Sequence, residues 1–348
     1  MNALRRYFYI VASLLMTCYG LVVAKSIVSP LLAAFIFALA LQPLASRLEC
    51  LRIPRLASAI LCVVLLIVTL SGILFFFSFQ VSAMDFSLNS IKVSYTGILG
   101  KVQHLITDTL RFSVEEQTSL LKEFYTSALK NSASFINNTL AFTTNFFSSL
   151  VIFIIALIFI LYYRRFLITF LFKIVDEKNH LILKRIVRKM PQVVKNYVLG
   201  LFLIILIIAV LNSLGLIILG INNAIVFGVM AAVLTLIPYV GILIGSLLPM
   251  IFVFLTRDSL WYPLGVLGVF MVVQFLEGNF LTPNIVGNQV SINPFAAILG
   301  LIFGASLLGI VGILFALPTL ALFKAICDEI PVLSPLGYVL GNAPSGTT

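Results

Sequence analysis

The sequence predicts an all-α polytopic membrane protein: about eight transmembrane helices, two broken or re-entrant segments in the C-terminal half, and a small external helical insert. Composition is the first reason. Of the 348 residues, 61% are hydrophobic and only 10% charged, against roughly 45–50% and about 25% in soluble domains. Patterning is the second. Apolar runs such as 57–79, 147–163 and 199–219 approach or exceed the ~20 residues that a helix rising about 1.5 Å per residue requires to cross hydrocarbon. A soluble globular class is excluded.

Spans are read near 7–24, 27–46, 57–80, 144–163, 197–220, 224–256, 260–281 and 305–326. Three of them make an N-terminal region, 1–80. The opening run after Arg5 and Arg6 has the outline of a signal peptide, but no small-x-small cleavage site follows, so it is read as an uncleaved first span. Arg47, Arg52 and Arg55 fall between the second and third spans, and nine basic residues between Arg164 and Lys195 face only Asp176 and Glu177. Positive loops stay in the cytoplasm, which sets both termini there. The net charge of +10 is thereby explained by topology, and no nucleic-acid partner is expected. Cys18, Cys50, Cys62 and Cys327 are scattered, with neither C-x-x-C spacing nor neighbouring histidines, so disulfides and metal sites are not expected.

The stretch 81–143 reads as the external insert. Lys92, Lys101, Arg111, Lys122 and Lys130 balance Asp85, Asp108, Glu115, Glu116 and Glu123. Ile98, Val102, Leu105 and Ile106 recur at helical spacing, and Ser113 with Glu116 forms a capping box. His104 within it reads as a solvated side chain. The region 144–196 joins the fourth span to a basic amphipathic helix. Ile182, Ile186, Met190 and Val193 lie on one face, Lys184, Arg185, Arg188 and Lys189 largely on the other. Such a helix is expected on the anionic inner leaflet.

Polar chemistry collects in 197–330, ahead of a cytoplasmic tail at 331–348. The sixth apolar stretch is too long for one crossing and is interrupted by IPYVGILIGSLLP. There Pro238 withdraws a backbone donor, and Gly241 and Gly245 allow close helix approach. A second interruption reads QFLEGNFLTPNIVGNQVSINP, Gln274 to Pro294. Lipid cannot hydrogen-bond backbone groups, so unwound chain at membrane depth has to be covered by protein or line a wet cavity. Paired interruptions of this kind point to a transporter's substrate site. The other reading leaves Pro238 as a simple kink and 278–294 as an external loop. Glu277 is the only acid between Asp258 and Asp328. An intramembrane carboxylate is a functional candidate by default, although Glu277 sits near a span end where water could reach it. Gln274, Asn279, Asn284, Asn288 and Asn293 either bind a hydroxylated solute or cap helix ends and turns.

These segments resemble the autoinducer-2 exporter family of bacterial inner-membrane permeases. The resemblance rests on Ile237, Pro238, Tyr239, Val240, Gly241, Ile244 and Gly245. It continues through Gln274, Glu277, Asn279, Pro283 and Gly287, and then Asn293, Pro294, Gly309 and Gly312. Many relatives carry His where Asn293 stands and Pro where Ile242 stands, so no protonating group is expected at 293. The resemblance implies a bacterial inner-membrane location and export of a small polar, sugar-derived signal. For some members it implies sodium or proton antiport. It also implies a homo-oligomer, expected to be a pentamer, in which the broken hairpins move as a unit. A substrate and ion pathway is then expected along Pro238, Tyr239, Gly241, Gly245, Gln274, Glu277, Asn279, Pro283, Asn284, Gly287, Asn293 and Pro294.

The leading reading is therefore a secondary transporter exporting a small polar solute, in contact with membrane lipids and possessing no cofactor. A sodium/proton antiporter and a non-transporting scaffold or lipid-handling protein are the alternatives. The sequence is not read as an enzyme. The tail GNAPSGTT lacks the lysine of a P-loop. Gly304–Ser306 faintly suggests a serine intramembrane protease, but His104 and His180 both lie outside the spans.

Overall fold

The computed structural model describes residues 3–83, 132–236, 240–257, 259, 261–287 and 292–341. The helical insert expected at 81–143 falls mostly outside these, including His104 and the Ser113–Glu116 box. Five long helices come first: α1 (Ala3–Val23), α2 (Lys25–Cys50), α3 (Arg55–Ala83), α4 (Ser132–Ile174) and α5 (His180–Ile218). Three shorter ones follow: α6 (Ala224–Leu234), α7 (Val240–Thr256) and α8 (Trp261–Leu276). Two π-helical turns, Glu277–Leu281 and Pro283–Gly287, extend α8 before α9 (Pro294–Glu329) and α10 (Ser334–Leu340). The described residues contain no strand. Six helical stretches are long and apolar enough to cross a membrane: Lys25–Cys50, Arg55–Phe76, Thr144–Ile174, Glu177–Ile218, Trp261–Ile285 and Pro294–Glu329.

α2 and α5 are the central posts. Ala34, Ala38 and Ala45 on α2 meet Ala59, Cys62 and Val63 of α3 and Leu157 and Leu161 of α4; small side chains bring the helix backbones together where lipid gives no hydrophobic drive. Outward rows such as Leu65, Val68 and Leu74 on α3 stay exposed, as a lipid-facing surface requires. At the Arg-rich end, Glu49 of α2 accepts from Arg164 of α4 at 2.7 Å, with both side chains only 12% exposed. The amphipathic start of α5 runs into its span without a break. Further along it, Val194, with Met190 and Val198, packs on Ile36 of α2 and Leu322 of α9. On its basic side, Lys189 and Arg185 reach Glu329 at 3.1 and 3.7 Å. These contacts bring the start of α5 and the end of α9 to one side.

The sixth stretch is a hairpin rather than a kinked crossing. A Cβ on Gly241 would collide with the Leu234 carbonyl, one on Gly245 would lie 2.9 Å from Ala231, and the Phe227 and Phe252 rings stand 5.1 Å apart. Contacts at 234–241, 231–245 and 227–252 describe two antiparallel arms. α6 has 11 residues, about 16 Å of helix, against the roughly 30 Å that a single crossing of hydrocarbon requires.

The eighth stretch doubles back as well. Gly309 adopts φ 65°, ψ −140° inside α9, a conformation open to glycine and costly for other residues. Beyond it the chain reverses. Gly304 and Gly312 are so close that neither admits a Cβ, and a Cβ on Gly300 would touch Leu320 at 3.4 Å. The two ends of this hairpin meet: the Asn293 side chain donates to the carbonyls of Val339 and Gly341 at 2.6 and 3.1 Å. A span count from hydropathy registers length and composition but not reversal, so 305–326 read as a span, whereas the excess length of 224–256 already pointed to a break.

Two outcomes check this architecture. In a background stripped of native cysteines, Gly300→Cys with Leu320→Cys should cross-link within one chain; a continuous helix would hold them about 30 Å apart and give no bridge. Glu49→Gln should destabilise the protein by about 3–5 kcal/mol, because Arg164 would be left buried without a counter-charge, seen as a lowered thermal midpoint in detergent.

Candidate functional site: a polar cleft at the first hairpin tip

In the C-terminal half of α5 the sequence supplies small groups where neighbours press closest. Ser213 faces Gly228 of α6, donating to the Ile225 carbonyl at 3.5 Å, and Gly215 abuts Val269 of α8. This packing buries the residue before Ser213. Asn212 is 2% exposed, and its Oδ1 has no hydrogen-bond partner. Such an acceptor costs about 1–3 kcal/mol when left unsatisfied, and Asn212 borders a narrow cleft.

The cleft is walled by Ile208 of α5, Ile242 of α7, and Phe270 and Val273 of α8, with Asn212, Thr235 and Gln274 as its polar points. Thr235 stands at the tip of the α6–α7 hairpin, where its hydroxyl donates to the Ala232 carbonyl at 2.6 Å, leaving the oxygen's lone pairs free. Measured along the helices, Thr235 lies about 17 Å from the start of α6 and Gln274 about 20 Å from the start of α8. These helix starts share an end of the molecule, where Arg257 donates to the Gly220 carbonyl at 2.9 Å and stacks over Tyr262. The cleft therefore lies well along these helices, away from the end where they start.

One turn beyond Gln274, Glu277 opens the first π turn, half-buried, with its carboxylate in hydrogen-bonding contact with the Gln274 side-chain amide. π geometry widens the helix and marks functional positions in many proteins. It also changes the expected reading of this segment. The chain is not unwound from Gly278 but helical through Gly287. Asn279 and Asn284 donate back to the carbonyls of Phe275 and Phe280 at 2.9 and 2.8 Å. Both are exposed, as are Gly278 and Pro283. Leu281 and Ile285 of these turns pack on Ile204 and Ile208 of α5.

Residues 11–331 match the profile of a family described as AI-2E family transporter. The chain belongs to that family. It is similar to "Putative transport protein MT0215" of Mycobacterium tuberculosis, 25% identical over 330 residues, or 92% of this chain and 87% of the relative. It is also similar to "Putative transport protein YueF" of Bacillus subtilis, 29% identical over 218 residues, or 60% of this chain and 57% of the relative. "Putative transport protein YrrI" of Bacillus subtilis is 33% identical over 129 residues, about a third of each chain. The matched stretch thus spans less than two thirds of YrrI and of YueF. As a member of the AI-2E family whose described residues hold several long apolar helices, the chain is a multi-pass membrane protein.

Of the residues expected along the AI-2E pathway, the cleft takes Gln274 directly and Glu277 through it. Gly241 and Gly245 are the closure of the first hairpin. Asn293 is engaged elsewhere: besides holding the tail, its Oδ1 caps α9 by accepting from the Ala296 amide at 2.7 Å, with Pro294 as the first helical residue. Gly287 ends the second π turn. Pro238, Tyr239 and Asn288 lie outside the described residues. Asn212 and Thr235 were missed. Their signal was available as an amide within the apolar run 199–219 and a hydroxyl three residues before Pro238.

Because Asn212 leaves an acceptor unpaired, Asn212→Leu should leave the thermal midpoint unchanged or raise it, whereas an amide holding the fold together would lower it on removal.

Proposed function

We propose that this transporter exports a small, uncharged, hydroxylated solute of the autoinducer-2 kind, with the cleft of Asn212, Thr235 and Gln274 as its binding site. The observation that carries this reading is Asn212, an amide 2% exposed with an unpartnered Oδ1, on the wall of a cleft that Thr235 and Gln274 also line. Neutral amides and a hydroxyl suit hydroxyl-bearing solutes, and none of the three attracts an anion. The two hairpins support alternating exposure of the cleft. One starts from the end that carries Arg257, the other from the end that carries Glu329, so each is re-entrant from its own side. With the basic loops inside, both termini are cytoplasmic in a bacterial inner membrane. The family resemblance supports a homo-oligomer of such units.

Glu277 favours one competing reading, sodium/proton antiport, since among the described residues it is the single carboxylate between Arg257 and Asp328. Proteoliposomes loaded with labelled autoinducer-2 separate the two. The exporter reading expects solute efflux that falls about five- to tenfold in Asn212→Leu, the worth of one neutral hydrogen bond. Efflux indifferent to Asn212, together with sodium-dependent proton movement in vesicles lacking solute, would overturn it.

A further inference from the structure

We propose that the cavity at the root of the first hairpin, beside Arg257, is a second site for the exported solute, an outer vestibule divided from the cleft by an apolar plug; the proposal rests on the exporter reading. Free space differs sharply between the two places. The cleft encloses about 10 Å³, room for about one water, so it is shut in this conformation. The cavity lined by Ile221, Asn222, Phe252, Val253, Thr256 and Arg257 encloses about 250 Å³. That is just below the roughly 300–1,000 Å³ of sites for drug-sized ligands, a size for a smaller molecule.

The cavity follows from how α5 and α7 end. Gly220, at φ 66°, donates its amide to the Ile217 carbonyl at 2.8 Å, and the Ile221 amide reaches the Leu216 carbonyl at 3.1 Å. This Schellman turn buries Ile221 and leaves Asn222 exposed. α7 stops at Thr256, whose hydroxyl donates to the Phe252 carbonyl at 2.8 Å and keeps its lone pairs for a donor. Arg257 spans the rim from the Gly220 carbonyl to the Tyr262 ring. Its charge is answered in place, because each of the two helix C-termini carries about −0.5 charge. The guanidinium therefore holds the rim together rather than recruiting an anion. An amide, a hydroxyl and the side of Phe252 remain to bind, a set that suits an uncharged hydroxylated molecule. One apolar cluster, with Phe227 in it, separates vestibule from cleft. Its members Ile221, Phe252 and Val253 line the cavity, and its members Ala231 and Phe270 line the cleft. A solute leaving the cleft on this side has to part the Phe227 and Phe252 rings, which stand 5.1 Å apart on opposite arms.

The test is protection of a cysteine in the full-length protein. With native cysteines removed, Asn222→Cys in nanodiscs should react with a charged maleimide, and autoinducer-2 should slow the reaction about tenfold near saturation. Adding Thr256→Val should raise the half-protecting concentration about fivefold, the worth of one neutral hydrogen bond. Both positions are exposed, so neither change disturbs the core. With the cleft disabled by Asn212→Leu, protection should persist. Its loss in that variant shows that the label reports the cleft, and overturns the second site. Protection by inorganic phosphate instead of autoinducer-2 overturns the uncharged class. Efflux from proteoliposomes is measured alongside. No protection while efflux still depends on Asn212 overturns the vestibule and leaves the exporter standing, whereas absence of wild-type efflux overturns the exporter reading and the vestibule with it.

Discussion

A helix that stops inside hydrocarbon leaves its last carbonyls and first amides without partners, and lipid cannot supply them. Everything in the C-terminal half answers to that constraint. α6 ends after 11 residues, so its exposed terminus has to be covered by the helices beside it. The close approaches of Gly241 to Leu234, Gly245 to Ala231 and Gly228 to Ser213 bring α5, α6 and α7 near enough to exclude lipid from the tip. Glycine at these positions is a matter of distance between backbones rather than of unusual torsion. α8 completes the enclosure through Val266, Phe270 and Val273.

In the C-terminal half, polar groups follow two policies. Most are neutralised locally: Asn279, Asn284 and Ser306 each donate to the carbonyl four residues back, the usual way a polar side chain survives in a helix surrounded by lipid. Asn212 departs from this pattern, and so does Gln274, whose amide is drawn toward Glu277. The difference between an amide that hides itself and one that does not is what separates scaffold from site here. It is a difference of hydrogen-bond bookkeeping, invisible to composition.

That distinction also explains what could be read from the residues alone. The membrane class, the all-α architecture and the family followed from apolar runs and from motifs such as Ile237–Gly245. The two interruptions were recognised, and Gly241 and Gly245 of the first were assigned to close packing, because glycine spacing is a local property. Three things were not legible. A hairpin arm over 295–310 was one of two readings of that run, but the bend itself was not placed, because Gly309 looks like any glycine among Gly300, Gly304 and Gly312. The segment from Gly278 to Gly287 reads as a loop by its breakers, yet the helix absorbs them by widening its turn. Asn293 shares a motif with the pathway, but its partners lie 46 and 48 residues away, and no window of sequence contains both. Asn212 was overlooked because a lone amide in a long apolar helix attracts less notice than a cluster.

The clamp between Asn293 and the tail reaches beyond cap geometry. It closes residues 293–341 into a ring of chain, reinforced by the Asn293 amide donating to the Leu340 carbonyl at 2.9 Å. Ordinary helices fray from their termini, the least protected part of most folds. Here the termini are knotted together, and the free extremity is the bend at Gly309. Local melting of this element should thus begin deep in the bilayer and spread outward, so that amide exchange would be slowest where the chain is nearest to water.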